Sequence, residues 1–422
     1  MTIYQTIVQD ILTGIERQDY KRGQKLPSIR QLSQTYHCSK DTVQKALKEL
    51  QYQHRIYAVE KSGYYILDDP DFQNKSLELN PEDFQQLPYK DFQACLSETL
   101  VGRENYLFNY YHQQEGLEEL IESLQGLLTD YHVYTKKDQL VITAGSQQAL
   151  YILSQIDFGP DRTDILLESP TYHRMHHLVE KQGLPYQTIE RTFAGIDLEE
   201  LEQIFRTGKI KFFYTIPRLH NPLGTSYDTS TLKKIVDLAA RYQVYLVEDD
   251  YLADFDTQKA LPLHYLDTHD LVIYIKSFTP TLFPALRLGG IALPTQLQEN
   301  FLQYKSLIDY DTNLIMQKAL SLYIDNGMFA RNTQHLRDLA NQTERNIVEI
   351  MKQTALDFPY QVTRNQLTIE LPISHLTAPI KQNKLQARLI ESLSHYYLQM
   401  NFDETFTERL KQLKQLIGKK QP

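Results

Sequence analysis

The residues best suited to chemistry lie where predicted strands end. Ala144-Gly145-Ser146 is a glycine turn at the start of a helical pattern. Backbone N–H groups and the helix dipole at such a turn favour a phosphate, although a Gly-Ser turn can equally be an ordinary helix cap. Asp249 follows an apolar strand-like run, which puts a carboxylate at another predicted strand end. The glycine turn suits an anion, and the carboxylate is a candidate for a ligand contact.

Residues 271–289, LVIYIKSFTPTLFPALRLG, contain a second group of such residues. The segment begins as a short apolar run typical of a buried strand and leaves the sheet at Ser277. The Ser277 hydroxyl and the Arg287 guanidinium are groups that hold a phosphate. Between them lies Pro280, which has no amine and cannot form a Schiff base.

The elements that position these residues alternate between strand and helix. Helical patterns at 146–155, 172–182 and 230–242 lie between apolar runs, and this rhythm predicts an α/β domain whose mostly parallel sheet is flanked by helices. Ligands on such sheets bind at the carboxyl ends of the strands. The predicted strands are 139–144, 164–167, 211–216, 244–247, 272–275 and 290–293.

The chain divides into a small head and a large body. Asp68-Asp69-Pro70-Asp71 and the polar residues after it mark a linker. The predicted domains are a winged helix-turn-helix DNA-binding domain at 1–67, a linker at 68–76 and an effector or dimerisation domain at 77–422. From about residue 305 the pattern is helical with a strand at 366–371, which predicts a smaller C-terminal lobe.

The head has the pattern of three helices followed by a hairpin. Apolar residues between positions 4 and 15 follow helical spacing. Ser28, with Gln31 three residues later, forms a capping-box pattern, and Ser39 caps a third helix. Two strand-like runs between 55 and 67 predict a β-hairpin. This order is typical of a winged helix-turn-helix, whose third helix enters the major groove.

Charge separates the head from the body. Residues 1–67 contain ten Lys and Arg against six Asp and Glu, whereas the rest of the chain contains 34 against 47. A basic head on an acidic body indicates that only the head meets a polyanion. Any single cation could equally belong to a solvated face. The candidate DNA-binding residues are Ser28, Arg30, Ser39, Lys40, Thr42, Lys45 and Lys61.

Composition excludes several other classes. Hydrophobic residues make up 41% and charged residues 23%, which is ordinary for a globular protein. No apolar run approaches the roughly 18 residues of a membrane span, and the N-terminus lacks the features of a signal peptide. Cys38 and Cys95 form no disulfide framework and fit a reducing compartment. We therefore expect a cytoplasmic protein without a membrane partner.

The head resembles a known family. Its sequence KRGQKLPSIRQLSQTYHCSKDTVQKALKEL is similar to the GntR-type pattern in which G-x-x-L-P-S-x-R-x-L precedes S-x-x-T-V-x-x-A-L-x-x-L. The body resembles the aminotransferase-like domain of fold type I over nearly its whole length. Together they look like the MocR subfamily of GntR regulators, which are transcription factors responsive to pyridoxal phosphate (PLP).

The resemblance implies roles for individual residues. It implies a phosphate site at the glycine turn with Ser277 and Arg287, and contacts to the pyridine ring by an aromatic residue, an amide, a tyrosine and a carboxylate. Tyr172 could equally be a core tyrosine, and Asn221-Pro222 is also a common turn pair. The candidate cofactor-binding residues are Ser146, Gln147, Tyr172, Asn221, Asp249, Tyr251, Ser277 and Arg287.

Two positions depart from the family pattern. Pro280 stands where the family has its Schiff-base lysine, and Gln399 stands where it has the arginine that binds the substrate carboxylate. Lys276 lies four residues upstream of Pro280, about 13 Å along an extended chain, which is beyond the reach of a lysine side chain. We therefore expect no catalytic residue and no metal.

Three hypotheses follow. The first is a homodimeric, non-catalytic, DNA-binding transcriptional regulator whose body senses a small molecule, either PLP held without a covalent bond or a different ligand. The second is an active PLP-dependent enzyme that uses Lys276. The third is a body that serves only for dimerisation and whose pocket is empty.

Overall fold

The computed structural model describes most of the chain. The described residues are 2–17, 19–21, 23–53, 55–59, 62–67, 83–100, 114–257, 260–309, 312–376 and 385–418. Lys61 and the predicted linker at 68–76 lie outside the described residues. The predicted domain boundaries therefore stay predictions.

The described helices and strands follow the order expected from the sequence. The helices are α1 (Ile3–Glu16), α2 (Ile29–Thr35), α3 (Lys40–Tyr52), α4 (Asp83–Leu100), α5 (Glu118–Thr129), α6 (Ser146–Gln155), α7 (His173–Gln182), α8 (Leu198–Arg206), α9 (Thr229–Tyr242), α10 (Leu263–Leu266), α11 (Gln298–Ile308), α12 (Leu314–Asp325), α13 (Met328–Thr354) and α14 (Phe406–Gly418). The strands are β1 (Ile56–Val59), β2 (Gly63–Ile66), β3 (Leu140–Thr143), β4 (Asp164–Ser169), β5 (Tyr186–Glu190), β6 (Ile210–Thr215), β7 (Tyr245–Asp249), β8 (Val272–Ser277), β9 (Gly289–Ala292), β10 (Tyr360–Thr363), β11 (Gln366–Leu371), β12 (Arg388–Glu391) and β13 (Tyr396–Asn401).

The body is built on a seven-stranded sheet with the order β3-β9-β8-β7-β6-β4-β5. Strands β8, β7, β6, β4 and β5 pair in parallel, and β9 runs antiparallel to both β3 and β8. The prediction of a mostly parallel sheet is therefore confirmed, with all six predicted strands present. The sequence missed β5, because this edge strand is only partly buried and lacks a continuous apolar run.

Helices cover both faces of this sheet, as alternate side chains of β8 show. Ile273 and Ile275 pack into a cluster with α6, α7 and α11. Val272 packs with α8 and α9, while Tyr274 packs with α4, α5 and α12. Because successive side chains of a strand point to opposite faces, one apolar run supplies the core on both sides.

A smaller C-terminal lobe follows α13, as predicted. Its four-stranded antiparallel sheet has the order β10-β11-β13-β12. The end of α13 and α14 pack on this sheet through Ile347, Met351, Leu410 and Leu413. The predicted strand at 366–371 is β11.

The head contains the three predicted helices and the hairpin. Ser28 and Ser39 cap α2 and α3 through hydrogen bonds from the backbone N–H groups of Gln31 (3.3 Å) and Thr42 (3.2 Å). The three helices and the hairpin share one core. In the hairpin, β1 and β2 pair with Val59 opposite Gly63.

The head also packs directly on the body. Tyr57 and Leu67 belong to the apolar cluster that contains Phe92 and Cys95 of α4. In addition, the Arg331 side chain of α13 donates a 2.8 Å hydrogen bond from Nη1 to the carbonyl oxygen of Leu67. The end of the head is therefore attached to a body helix.

Two other kinds of site are absent from the described ranges. No helix there has the length and apolarity needed to cross a membrane. Nor do three or more His, Cys, Asp or Glu side chains come together there in a way that could hold a metal ion.

Candidate ligand-binding site

The candidate anion recess is the place where β9 runs between β3 and β8. Gly289 lies opposite Thr143 on one side and opposite Ser277 on the other. A Cβ at Gly289 would lie 3.1 Å from the Cα of Gly145, so only glycine allows this close approach. Arg287 lies beside the same turn, with Nη2 3.4 Å from the carbonyl oxygen of Ala144. A helix N-terminus, a hydroxyl and a guanidinium thus converge and suit an anion.

Asp249 is the last residue of β7 and is fully buried beside this recess. Its Oδ2 accepts a 2.7 Å hydrogen bond from the hydroxyl of Tyr214. Its Oδ1 has no hydrogen-bond partner among the described residues. Burial raises the pKa of Asp249 to about 7; the Tyr214 bond lowers it, and the charge of Asp250 raises it. A buried oxygen without a partner fits a ligand that brings its own N–H donor.

Tyr172 and Tyr251 lie near Asp249. Tyr172 directly precedes α7, and burial raises its pKa, with Asp249 raising it further and Arg287 lowering it. Burial, and then the charge of Asp249, likewise raise the pKa of Tyr251. Tyr172 is therefore close to both Asp249 and Arg287, which joins the carboxylate to the anion recess.

The remaining two candidates lie at the edges of the site. Gln147 is in the first turn of α6, and its buried Nε2 lacks a hydrogen-bond partner among the described residues. Asn221 is partly buried in the loop after β6, in front of Pro222. The carbonyl oxygen of Pro222 accepts hydrogen bonds from the side chains of Thr368 (3.1 Å) and Gln399 (3.2 Å). The C-terminal lobe therefore contacts the loop that carries Asn221.

Buried polar contacts, which the sequence did not predict, hold this loop in place. Arg218 pairs with Asp250, and Nε2 of His220 lies 3.2 Å from Oε2 of Glu168. Burial lowers the pKa of His220, so this second contact joins a neutral imidazole to a carboxylate. Glu168 also accepts a 2.8 Å hydrogen bond from Thr215. Because the Arg218–Asp250 pair is almost fully buried, breaking it would leave an uncompensated charge.

Lys276 is not available in the site. Its side chain is buried, and Nζ donates a 2.7 Å hydrogen bond to Oδ2 of Asp254. The same ammonium lies 5.0 Å from the ring centre of Tyr131. Pro280 itself is only partly buried and lies after the end of β8. The amine nearest in sequence to position 280 is thus held by a carboxylate.

Gln399 lies opposite Thr368 in the lobe sheet. Its amide is buried, and one of its two N–H donors is used on the Pro222 carbonyl. A neutral amide offers no charge to a carboxylate. The lobe therefore presents no cation at position 399.

The head candidates form two kinds of group. Ser28, Ser39 and Thr42 take part in local cap hydrogen bonds. The ammonium of Lys45 lies 4.5 Å from the ring centre of Tyr4. Arg30 and Lys40 are exposed near the starts of α2 and α3 and are free to meet DNA, and Lys61 lies outside the described residues.

Sequence reasoning missed Tyr214, Asp254 and Arg364. Tyr214 lies in a predicted strand, but nothing local pairs it with Asp249. Arg364, which lies in the turn between β10 and β11, comes within 3.5 Å of the Pro280 carbonyl oxygen. Residues 280 and 364 are brought together only by folding of the lobe.

Comparison with protein families agrees with this architecture. Residues 3–66 match the family described as bacterial regulatory proteins, gntR family. Residues 86–411 match the family described as aminotransferase class I and II.

Two relatives align with this chain over most of their length. YcxD of Bacillus subtilis, described as an uncharacterized HTH-type transcriptional regulator, is 37% identical over 94% of this chain and 93% of its own. YjiR of Escherichia coli, described in the same words, is 25% identical over 80% of this chain and 79% of its own.

Solved aminotransferases share the fold. The multiple substrate aminotransferase of Thermococcus profundus superposes with a TM-score of 0.71 at 20% identity, over 81% of this chain and 89% of that one. Kynurenine aminotransferase of Pyrococcus horikoshii gives the same TM-score and identity over 90% and 94%. At this identity the likeness concerns the fold alone.

Asp249→Asn should remove a pH dependence of stability. A carboxyl whose pKa rises from 3.8 to about 7 on folding contributes stability that is fully present below about pH 4 and is lost as the pH rises through 7. Asparagine keeps an acceptor for Tyr214 without the charge. We expect the free energy of unfolding of the wild type to fall, relative to Asp249→Asn, by up to about 4 kcal/mol between pH 4 and 8.

Urea unfolding at several pH values measures this difference. The exposed Asp138→Asn is the matched control and should follow the wild type. Parallel curves for wild type and Asp249→Asn would contradict the assignment.

Proposed function

Because the chain belongs to the family of HTH-type regulators that join a gntR-type head to a class I and II aminotransferase domain, we propose that its body binds a phosphorylated pyridine without a covalent bond. In this proposal the protein is a DNA-binding transcriptional regulator that catalyses no transamination. The head meets the operator, and occupancy of the pocket alters the affinity of the head for DNA.

The proposal is carried by a recess that has groups for a phosphate and a ring but no amine at position 280. Ser277 and Arg287 would hold the phosphate together with the Gly145 turn, and Asp249 would meet the ring nitrogen through its open Oδ1. When bound, PLP supplies a protonated ring that withdraws electrons. Tyr172 would cover the ring. Pro280 has no amine that could bond covalently to the ligand.

Lys276 is a poor substitute for the missing amine. To reach the ligand it would have to leave Asp254, which would strand a buried carboxylate. Breaking a buried pair in this way costs about 3–5 kcal/mol. The alternative of an active enzyme that uses Lys276 is therefore disfavoured by the packing.

Helix α13 offers a physical route from the pocket to the head. Asn332 donates a 2.7 Å hydrogen bond to the carbonyl oxygen of Thr281, the residue after Pro280. The neighbouring Arg331 bonds to Leu67 at the end of the head and pairs with Asp91. A ligand that shifts the segment at 280 would thus act on the residues that hold the head. Only a difference in affinity between two such arrangements would make the ligand an effector.

A homodimer remains part of the proposal. Two heads held by paired bodies would contact two half-sites, so their separation would set operator spacing. Sedimentation of the full chain, with and without operator DNA, measures the number of copies. A monomer that binds one half-site would contradict it.

Lys40→Gln should weaken DNA binding mainly at low salt. Removing one cation that binds a phosphate makes the slope of log Kobs against log salt shallower by about 0.9. Lys40 is exposed at the first position of α3, where a phosphate contact is expected. Fluorescence anisotropy with DNA from upstream of its own gene, over a salt series, gives the slope.

Lys181→Gln is the control, because Lys181 is an exposed lysine on the body. It should leave the slope unchanged. Equal effects of the two substitutions, or no site-specific binding by the wild type, would refute the assignment of the head.

Pro280→Lys should restore covalent trapping of PLP. The wild type should bind PLP and pyridoxamine phosphate by calorimetry but retain no label after borohydride treatment. The variant should gain a borohydride-stable mass on position 280, because the phosphate and ring contacts are kept. Mass spectrometry of peptides locates the label.

Pro280→Ala is the matched control, since it changes the backbone in the same way without adding an amine. A label on Lys276 in the wild type would support the enzyme hypothesis instead. Absence of heat with either ligand would support a body that only mediates dimerisation.

Arg331→Gln should uncouple ligand from DNA. Losing the bond to Leu67 should bring the ligand-induced change in DNA affinity, ordinarily about 5- to 150-fold for coupled sites, towards unity. Ligand affinity should stay within about twofold, because Arg331 does not reach the pocket. Arg345→Gln, an exposed change on the same helix, is the control. Full coupling in Arg331→Gln would exclude this route.

A further inference from the structure

The turn between β10 and β11 carries an arginine in an uncommon conformation. Thr363 pairs with Gln366, so Arg364 and Asn365 form the two-residue turn. Arg364 has a φ of 56°, in a region where residues other than glycine are rare. Glycine would adopt this positive φ without backbone strain. The presence of arginine instead therefore calls for a role of its guanidinium.

The turn packs against the loop after β6, which borders the candidate site. A Cβ on Gly224 would lie 2.2 Å from Oγ1 of Thr363, so the turn and the loop after β6 are in close contact. The side chains of Thr368 and Gln399 tie the same lobe sheet to Pro222. The position of Arg364 is therefore fixed by several contacts around it.

The Arg364 guanidinium lies beside Pro280. Its carbon is 4.2 Å from the ring centre of Phe255, and Nη2 is 3.5 Å from the Pro280 carbonyl oxygen. Burial lowers its pKa, and the nearby Tyr251 and Asp254 raise it, so these groups surround it. A guanidinium has five N–H donors, and the single long bond to Pro280 leaves most of them available to a ligand.

Two other buried cations of the described residues are already paired with carboxylates. Lys276 is paired with Asp254, and Arg218 is paired with Asp250. Arg287 lies at the opposite, phosphate end, beside the Gly145 turn. Asp254 lies near Arg364, but its carboxylate already accepts hydrogen bonds from Lys276 and from the hydroxyls of Tyr131 and Thr281.

We infer that Arg364 is a carboxylate-binding residue of the pocket, which selects a phosphorylated pyridine that also bears a carboxylate near position 280. The inference rests on the proposed phosphate and ring sites. A partly desolvated guanidinium binds a carboxylate through two parallel hydrogen bonds, which a neutral amide such as Gln399 cannot imitate. Because position 280 offers no amine to the ligand and a cation lies beside it, the pocket favours a ligand that arrives already joined to an amino acid.

Calorimetry with two stable probes tests this selectivity on the full chain. N-(5′-phosphopyridoxyl)-L-alanine carries the carboxylate, and pyridoxamine phosphate lacks it. The wild type should bind the first at least about tenfold more tightly, as expected for one charge-assisted bidentate contact. In Arg364→Gln the preference should fall to about twofold or less, while affinity for pyridoxamine phosphate changes by less than about threefold.

Two further variants separate charge from structure. Arg364→Lys should keep part of the preference, because it retains the charge without the paired donors. Arg345→Gln, on the exposed face of α13, should keep all of it. Thermal unfolding of each variant checks that the lobe remains folded.

Three results would overturn the inference. One is a wild type that binds both probes equally, and another is an Arg364→Gln variant that loses affinity for both probes in the same proportion. The latter would make Arg364 a residue that only holds the lobe in place. If neither probe binds the wild type, the proposed function fails together with this inference. The first two results overturn only the inference and leave the proposed function intact.

Discussion

The buried carboxylate of Asp254 joins the parts of the body on which the site depends. It pairs with Lys276 of β8 and accepts hydrogen bonds from Tyr131 after α5 and from Thr281 beside Pro280. Its backbone carbonyl accepts a 2.5 Å hydrogen bond from Arg337 of α13. A buried charge is tolerated only when it is paired and hydrogen-bonded, so these segments must stay together. The same constraint holds the Lys276 ammonium on Asp254.

The pocket keeps the features of a binding site while its reactive amine is absent. The anion recess depends on the close approach of Gly289 to Gly145, which leaves no space for a side chain. Asp249 is held by Tyr214 on one oxygen and is open on the other. In the proposed function these groups would hold a phosphate and a ring. A proline at position 280 leaves them in place and offers no amine.

The packing of the head on the body connects the head with the candidate binding site. Tyr57 and Leu67 of the head are buried in the same cluster as α4, and α13 reaches from Leu67 to the segment at Pro280. Arg331 and Asn332, which make these two contacts, are adjacent near the start of α13, so a single turn of this helix holds both segments. The lobe closes the other side of the pocket through Pro222 and the turn at Arg364.

Much of this could be predicted from the sequence, because the signals are local. Helical spacing and capping residues predicted α1 to α3, and apolar runs predicted six strands of the main sheet. The edge strand β5 was not predicted, because a partly exposed strand has few apolar residues to mark it. Pro280 and Gln399 alone indicated that the amine and the carboxylate arginine are missing. The sequence thus determined the fold class, the DNA-binding head and the absence of a lysine at position 280.

Only the tertiary structure decided how distant residues combine. Lys276 is neutralised by a carboxylate 22 positions away, and Asp249 receives its hydrogen bond from a tyrosine 35 positions away. Arg364 comes from 84 positions further along the chain to lie beside Pro280, and Arg331 meets Leu67 across 264 positions. No local spacing encodes such pairs, because each depends on how complete elements pack. The sequence by itself showed that position 280 has no amine. The packing determined that Arg364 is the cation beside that position.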